Sequence, residues 1–218
     1  MPTIIQCPPT EQPDITCFLS ENFGSPKGSK NRYGHLIQGI VLRCVDSDIA
    51  AMDALACSDL KLKKYKGDIG VPHYFVSKEG IIRKYIEEEN IAWGFVDQLK
   101  GPLDLTPFIW KLVDDNPTIP IDYYTITIAV EKDLFTSLNK CDCVGLKDTK
   151  AYSQLVQLVA WLTEKFVIPK TKNYVAFNQQ INESAEEECG ECLDSVCFIC
   201  DVANYCQKCK NKGKTEYR

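Results

Sequence analysis

Histidine is scarce in this sequence: two of its 218 residues are histidine, His35 and His73. Twelve cysteines accompany them, so a cysteine and a histidine could come close by chance, and we assign no Cys–His pair for acyl transfer. We expect His35, which precedes the first predicted strand, to be exposed. We expect His73 to be a hydrogen-bonded packing residue rather than a metal ligand.

The sequence also lacks a surplus of basic side chains, a long apolar run and a secretory leader. Its net charge of -5 at pH 7 disfavours a nucleic-acid partner, because phosphate contacts need a basic surface. No apolar run is long enough to span a membrane. The start, MPTIIQCPPTEQPD, has no basic segment followed by an apolar core. We therefore expect synthesis in a cytoplasm, without a signal peptide and without a membrane span.

The length and the 44% hydrophobic content predict one domain with extensions at both ends. Residues 1–35 are rich in proline and glycine and show no sustained periodicity, so they are predicted to form an extended arm. Such an arm either wraps a neighbouring subunit or is a loosely packed leader. Residues 96–122 are rich in proline and are interpreted as an insertion or long loop, inside a domain that spans residues 36–182.

Apolar patterns within this domain predict strands and helices. Two β-rich runs around the turn Ser77-Lys78-Glu79-Gly80 predict an antiparallel hairpin over residues 71–86. Continuous apolar runs predict buried central strands, and 3.6-residue stripes predict helices. The strands are Leu36–Leu42 and Tyr123–Glu131, and the helices are Asp48–Cys57 and 149–166, the second being the longest.

The order of these segments resembles the zinc-dependent N-acetylmuramoyl-L-alanine amidases, a family that includes the T7-type lysozymes and the peptidoglycan recognition proteins. The resemblance lies in the stretch VPHYFVSKEGIIRKYIEEENIAWGF, residues 71–95, and in the strand YYTITIAVE, residues 123–131. The helix ending in KFVIP, residues 165–169, is similar to the family's Y-x-I-P. The resemblance covers about residues 36–182. It implies an α/β fold with a mixed central sheet flanked by helices.

The same resemblance implies that the catalytic positions are degenerate. Arg43 stands where the family has its first zinc histidine, and Phe177 stands where it has the second. Pro72 takes the place of the catalytic tyrosine, and Gly94 that of a histidine after the tryptophan. A third zinc ligand survives at most as Cys189. Because a fixed guanidinium repels Zn²⁺ and a phenyl ring has no lone pair, no catalytic zinc is expected.

Residues 183–218 contain three CxxC pairs, which we interpret as an appended cysteine-rich module. Two CxxC turns can supply four thiolates to one structural zinc ion. Four or more of these cysteines are expected to bind zinc, with disulfides as the alternative. They are Cys189, Cys192, Cys197, Cys200, Cys206 and Cys209.

These observations favour a non-catalytic amidase-fold protein with a structural or binding role. The resemblance suggests a virion component, such as part of a phage tail or baseplate, whose partners are other subunits of the assembly. Two alternatives stay open. One is an active peptidoglycan N-acetylmuramoyl-L-alanine amidase with replaced metal ligands. The other is a pseudoenzyme that still binds peptidoglycan.

Overall fold

The computed structural model describes residues 10–21, 31–57, 70–92, 121–132, 134, 149–170, 175–178 and 202. Gly94, most of the predicted insertion at 96–122 and all six cysteines of the predicted module lie outside the described residues.

The described residues form one six-stranded mixed sheet in the order β1-β4-β3-β5-β2-β6. β3, β5, β2 and β6 are mutually parallel, whereas β4 is antiparallel to β3 and carries β1 parallel to itself. The predicted mixed sheet with flanking helices is therefore confirmed. The strands are β1 Ile15–Cys17, β2 Gly39–Val45, β3 Tyr74–Val76, β4 Ile82–Lys84, β5 Thr125–Glu131 and β6 Val175–Asn178.

A helix covers each face of the sheet. α1, Ile49–Cys57, buries Met52 and Ala56 against a cluster that includes Phe75 of β3. α2, Lys150–Lys165, is the longest helix among the described residues and packs on the opposite face. All seven residues of β5 are buried, as its continuous apolar run predicted, because both faces of this strand are covered. Neither described helix is long and apolar enough to cross a membrane.

Local interactions fix both ends of α2. Thr149 is the N-cap, and its hydroxyl accepts a hydrogen bond from the Tyr152 N–H at 3.2 Å. At the other end the Ile168 N–H donates to the Thr163 carbonyl at 2.7 Å and the Val167 N–H to the Glu164 carbonyl at 3.3 Å. This pair of bonds is a Schellman motif, which ends the helix at Phe166.

The predicted hairpin is confirmed as β3 and β4 around the turn at 77–80. The Ser77 hydroxyl accepts from the backbone N–H groups of Glu79 and Ile81, each at 3.2 Å. Gly80 has φ 77°, and a Cβ atom there would lie 3.0 Å from the backbone of Lys150 and Ala151. The turn therefore packs directly on the start of α2, and a residue without a side chain is needed at this point.

Three features of the fold differ from the sequence-based expectations. Part of the predicted arm, Ile15–Cys17, is the edge strand β1 of this chain's own sheet, because its backbone completes the ladder beside β4. β2 begins three residues later than predicted, at Gly39, and Leu36 is 76% exposed. Val202, from the predicted module, is fully buried in the cluster that lines the α2 face.

Candidate functional site

The carboxyl ends of β3, β5, β2 and β6 meet at one edge of the sheet, because these four strands are parallel. In α/β proteins this edge is where ligands bind. Arg43 lies on β2 next to Ala129 of β5 and Asn178 of β6 in the strand register. Glu131 ends β5 beside Val45. We call Arg43, Glu131 and the neighbouring hairpin turn the edge site.

The register places two of the predicted degenerate positions on neighbouring strands. Arg43 is 5% exposed, so its guanidinium is a buried fixed cation close to the carboxyl end of β2. Phe177 pairs in register with Leu42, whereas Asn178 pairs with Arg43. Positions 43 and 177 are thus on adjacent strands but one residue out of register. The neighbour of Arg43 on β6 is therefore Asn178, a residue that the family resemblance did not point to.

Glu131 connects the edge site to the hairpin turn. Its carboxylate accepts a hydrogen bond from the Lys78 N–H at 3.1 Å and forms an ion pair with the Lys78 ammonium at 3.3 Å. Lys132 and Asp46 form a second ion pair at 3.3 Å, and both side chains are exposed. The edge site therefore holds compensating charges, and its buried carboxylate already has a cationic partner.

The other predicted positions are not brought to this edge. Pro72 is buried and precedes β3, so it lies beyond the amino end of the strand. Gly94 lies outside the described residues. The structure thus brings Arg43 and Phe177 to one region and places Pro72 in another.

A second polar cluster, which sequence reasoning missed, surrounds His73 at the amino end of β3. The Thr127 N–H donates to His73 Nδ1 at 3.0 Å, so the proton of the neutral ring is on Nε2, which lies 3.2 Å from the Asn90 carbonyl. Burial, together with the neighbouring Arg32 cation, lowers the pKa of His73 to about 3. Both ring nitrogens are engaged inside the fold. His73 therefore has the packing role expected from the sequence.

Arg32 is the centre of this cluster, which we call the Arg32 cluster. Its guanidinium donates to the carbonyls of Glu88 at 2.6 Å and of Asp122, Tyr123 and Thr125 at 2.8 Å each, and lies 2.9 Å from His73 Nε2. Burial lowers the pKa of Arg32 to about 10, so it stays charged at neutral pH. The predicted arm is thereby fastened to the chain after β4 and to the start of β5. A buried arginine in a segment rich in glycine and proline gives no periodic signal, so the sequence did not reveal it.

Glu88 extends the Arg32 cluster toward α2. Its carboxylate accepts from the Tyr74 hydroxyl, from Lys84 at 2.8 Å and from Lys165 at 2.9 Å. Burial acts to raise the pKa of Glu88, but hydrogen bonds from Lys84, Tyr74 and Lys165 outweigh it and lower the pKa to about 2. Carboxylate oxygens of the adjacent glutamates 87–89 lie within 4.8 Å of one another. Two ammonium groups already balance Glu88, so this acidic run is an ion-pair network rather than a cation site.

His35 is partly buried, contrary to the expected exposure. Its ring makes edge contacts with Tyr123 and Tyr124, with centroids 5.6 and 5.0 Å apart. These contacts hold it beside the start of β5, on the segment that leads from Arg32 into β2. The two histidines of the chain are therefore both packed at the amino end of the central strands, away from Arg43.

No protein-family model and no curated protein matches this chain. Among solved structures it is similar to a point mutant of PlyL, with a TM-score of 0.49 at 15% identity over 88% of this chain and 99% of that chain. It is similar to the endolysin N-acetylmuramoyl-L-alanine amidase LysCS from Clostridium intestinale URNW, with a TM-score of 0.44 at 14% identity over 79% and 87% of the two chains. It is also similar to the Staphylococcus aureus hydrolase AmiA in complex with its ligand, with a TM-score of 0.42 at 11% identity over 77% and 66%.

Proposed function

We propose that this protein is a non-catalytic protein of the amidase-like fold with a structural or binding role. The observation that carries the proposal is the state of His73, whose two ring nitrogens are engaged inside the fold. The chain has two histidines in all, so His35 alone is left to supply an imidazole. A zinc amidase of the family that the sequence resembles needs two histidine ligands for its metal ion. Catalysis by that route would require a different set of ligands.

The edge site supports the same proposal. A zinc site needs ligands with lone pairs and an open position for water. Arg43 instead puts a permanent positive charge at the end of β2, and the Glu131 carboxylate is paired with Lys78. A buried guanidinium disfavours a divalent cation nearby by direct repulsion.

The setting we propose is a larger protein assembly, a virion part such as a phage tail or baseplate. The support is the resemblance to cell-wall enzymes together with the residues that replace the family's zinc histidines, Arg43 and Phe177. We further propose a structural zinc ion bound by at least four cysteines of residues 189–209. A segment of this length has too little apolar area to order itself without such a staple.

Incubation of the full chain with purified peptidoglycan sacculi, with and without added Zn²⁺, tests the catalytic part of the proposal. We expect no release of soluble peptide at any zinc concentration, alongside an active amidase as the positive control. Zinc-dependent release by the wild-type chain would overturn the proposal. Sedimentation of the chain with the sacculi, measured in the same samples, would identify the peptidoglycan-binding alternative.

Elemental analysis and thiol counting on the intact protein test the tail. We expect at least one zinc ion per chain, lost from a Cys206→Ser/Cys209→Ser variant and retained by a Cys17→Ser/Cys57→Ser control, since Cys17 and Cys57 are exposed free thiols elsewhere. A metal-free protein with bridged cysteines would show that disulfides, rather than zinc, stabilise the tail. A metal-free protein with free thiols and an ordered tail would leave the staple argument wrong.

A further inference from the structure

The outer edge of β1 is open to another strand. β1, Ile15–Cys17, is the outermost strand on its side of the sheet, and β4 lies along its inner side. The side chains of Thr16 and Cys17 are exposed, and Leu19, just beyond the strand, is 55% exposed. An exposed edge strand is a template on which a further strand can pair. β1 is therefore a candidate interaction surface.

The hydrogen bonds of this segment fix the direction of its backbone groups. The N–H groups of Phe18 and Ser20 donate to the carbonyls of the last residue of β4 and of the residue after it, each at 2.8 Å. Because successive N–H groups along a strand point to opposite sides, those of Ile15, Cys17 and Leu19 point away from β4. Within the described residues no other strand lies on that side. Three N–H groups and their carbonyls are thus positioned to continue the ladder.

The segment that contains β1 is held at both ends. Before the strand, the Thr10 hydroxyl donates to Glu164 Oε1 of α2 at 2.6 Å, and the Thr10 N–H donates to the same carboxylate. After the strand, the Ser20 hydroxyl donates to the Ala56 carbonyl of α1 at 2.6 Å. The edge is therefore ordered before any partner arrives, and little conformational freedom is lost from it on binding.

The open edge carries negative charge. Asp14 and Glu21 lie on either side of the strand, and both are exposed. Among the described residues no cation pairs with either carboxylate. The basic residues of the neighbouring β4 do not balance them, because Arg83 and Lys84 already pair with other carboxylates, at 3.7 and 2.8 Å. A partner strand at this edge therefore meets an acidic surface.

The charge of the edge selects its occupant. A second copy of this chain paired on β1 would bring two pairs of carboxylates onto one ribbon, where like charges repel. A basic strand instead meets Asp14 and Glu21 with opposite charge. Aliphatic side chains at the centre of such a strand can pack on the exposed Leu19.

We propose that β1 is the docking strand for an extended segment of a partner protein, with aliphatic side chains at its centre and basic side chains toward its ends. The segment adds to the sheet beside β1 through main-chain hydrogen bonds, and the acidic residues choose it by charge. The pairing does not involve the edge site. The inference thus goes beyond the proposed function and is independent of it.

A synthetic peptide with alternating valine and threonine between pairs of lysines tests the contact on the full chain. We expect amide hydrogen exchange, measured by NMR, to slow by about tenfold or more at Cys17 and Leu19, because their N–H groups become donors in the new ladder. The N–H groups of Phe18 and Ser20 already donate to carbonyls of the chain, so their exchange should change less. Unchanged exchange at Cys17 and Leu19 at the highest soluble peptide concentration would overturn the proposal.

Two control peptides separate the backbone contact from the charge. One carries N-methyl groups on two successive central residues, which removes a donor from each of its edges, and the other has glutamate in place of lysine. We expect neither to protect Cys17 or Leu19. Equal protection by either control would overturn the proposal, since the ladder or the charge would then play no part. Protection that rises with protein concentration without peptide would overturn it in favour of a second copy.

Asp14→Lys and Asp46→Lys form a matched pair of variants with the same change in net charge. Both aspartates are exposed, and three strands separate β1 from β2, after which Asp46 lies. We expect Asp14→Lys to weaken binding of the lysine peptide by about threefold to tenfold, because attraction becomes repulsion at an exposed contact. Asp46→Lys should change it by less than about twofold. Equal weakening by the two variants would show that only net charge matters and would overturn the proposed place of the contact.

Discussion

His73 makes the stability of this protein depend on pH. In the fold its pKa is about 3, whereas the free side chain titrates near 6.5. The neutral ring is therefore favoured by folding, and its contribution is complete above pH 6.5 and is lost as the pH falls from 6.5 toward 3. Burial is the largest cause of the lowered pKa of His73. The charges of Arg32 and Lys84 lower this pKa further, whereas Glu88 acts to raise it.

We predict that the free energy of unfolding falls by up to about 1.4 kcal/mol per pH unit between pH 6 and pH 4.5. Denaturant unfolding measured at several pH values checks this. His73→Asn, which keeps an acceptor for the Thr127 N–H, should lose the dependence, and His35→Asn should keep it. Below pH 4.5 Glu88 adds a second loss, because its pKa in the fold is about 2. A wild-type protein of constant stability from pH 7 to pH 5 would contradict the assignment.

Arg32 is the residue whose loss should cost most. Four backbone carbonyls accept from its guanidinium, and each would be left buried without that donor. We predict that Arg32→Ala lowers the free energy of unfolding by about 3–5 kcal/mol. Arg32→Lys should recover only part of this, because an ammonium cannot reproduce the planar fork. Lys132→Ala, at an exposed ion pair, is the control and should cost within about 1 kcal/mol.

At the scale of elements, the hairpin turn and the start of α2 form one packed unit. Gly80 and Gly34 both have positive φ, at 77° and 81°, so an alanine at either position pays the same backbone cost. They differ in space: a Cβ atom at Gly80 meets the backbone of α2 at 3.0 Å, and one at Gly34 meets nothing within 4 Å.

We predict that Gly34→Ala costs about 1 kcal/mol and Gly80→Ala clearly more, about 2–4 kcal/mol, because the hairpin must move away from α2. Equilibrium unfolding of the two variants measures the difference, which isolates the packing of the turn. If the two substitutions cost the same, the turn does not press on α2.

The elements with long apolar runs or stripes could be predicted from the sequence, and the shorter ones could not. β5 and α2 were placed to within two residues at each end, because burial on both faces and a 3.6-residue stripe are strong signals. β1 has three residues with two exposed, so nothing in its pattern separates it from loop. The Arg32 cluster joins residues from four separate segments, and such proximity is set by tertiary structure rather than by spacing. For the edge site, sequence similarity identified position 43, but only the strand register could identify Asn178 as its partner.

At the scale of the whole molecule, Val202, a residue of the predicted cysteine-rich module, is buried in the core. It belongs to the cluster formed by β2, β5 and α2, so residue 202 is part of the core that the central domain needs. We predict that Val202→Ala destabilises the protein by about 1–3 kcal/mol and that removal of residues 183–218 costs more. Leu19→Ala, at an exposed leucine, is the control. A truncated chain as stable as the full one would show that the tail is dispensable for folding.

The sheet order has a consequence for how the chain folds as it is made. β5 separates β2 from β3, yet it is synthesised after both of them. Before residue 131 emerges, β2 has neither of its final neighbours, because β6 also comes later. The nascent chain can form the β3–β4 hairpin with β1 alongside, while the apolar strand Gly39–Val45 stays unpaired. Exposed strand edges of this kind promote aggregation. Production of this protein should therefore be sensitive to the rate of elongation through residues 85–131 and to the supply of chaperones that shield unpaired strands.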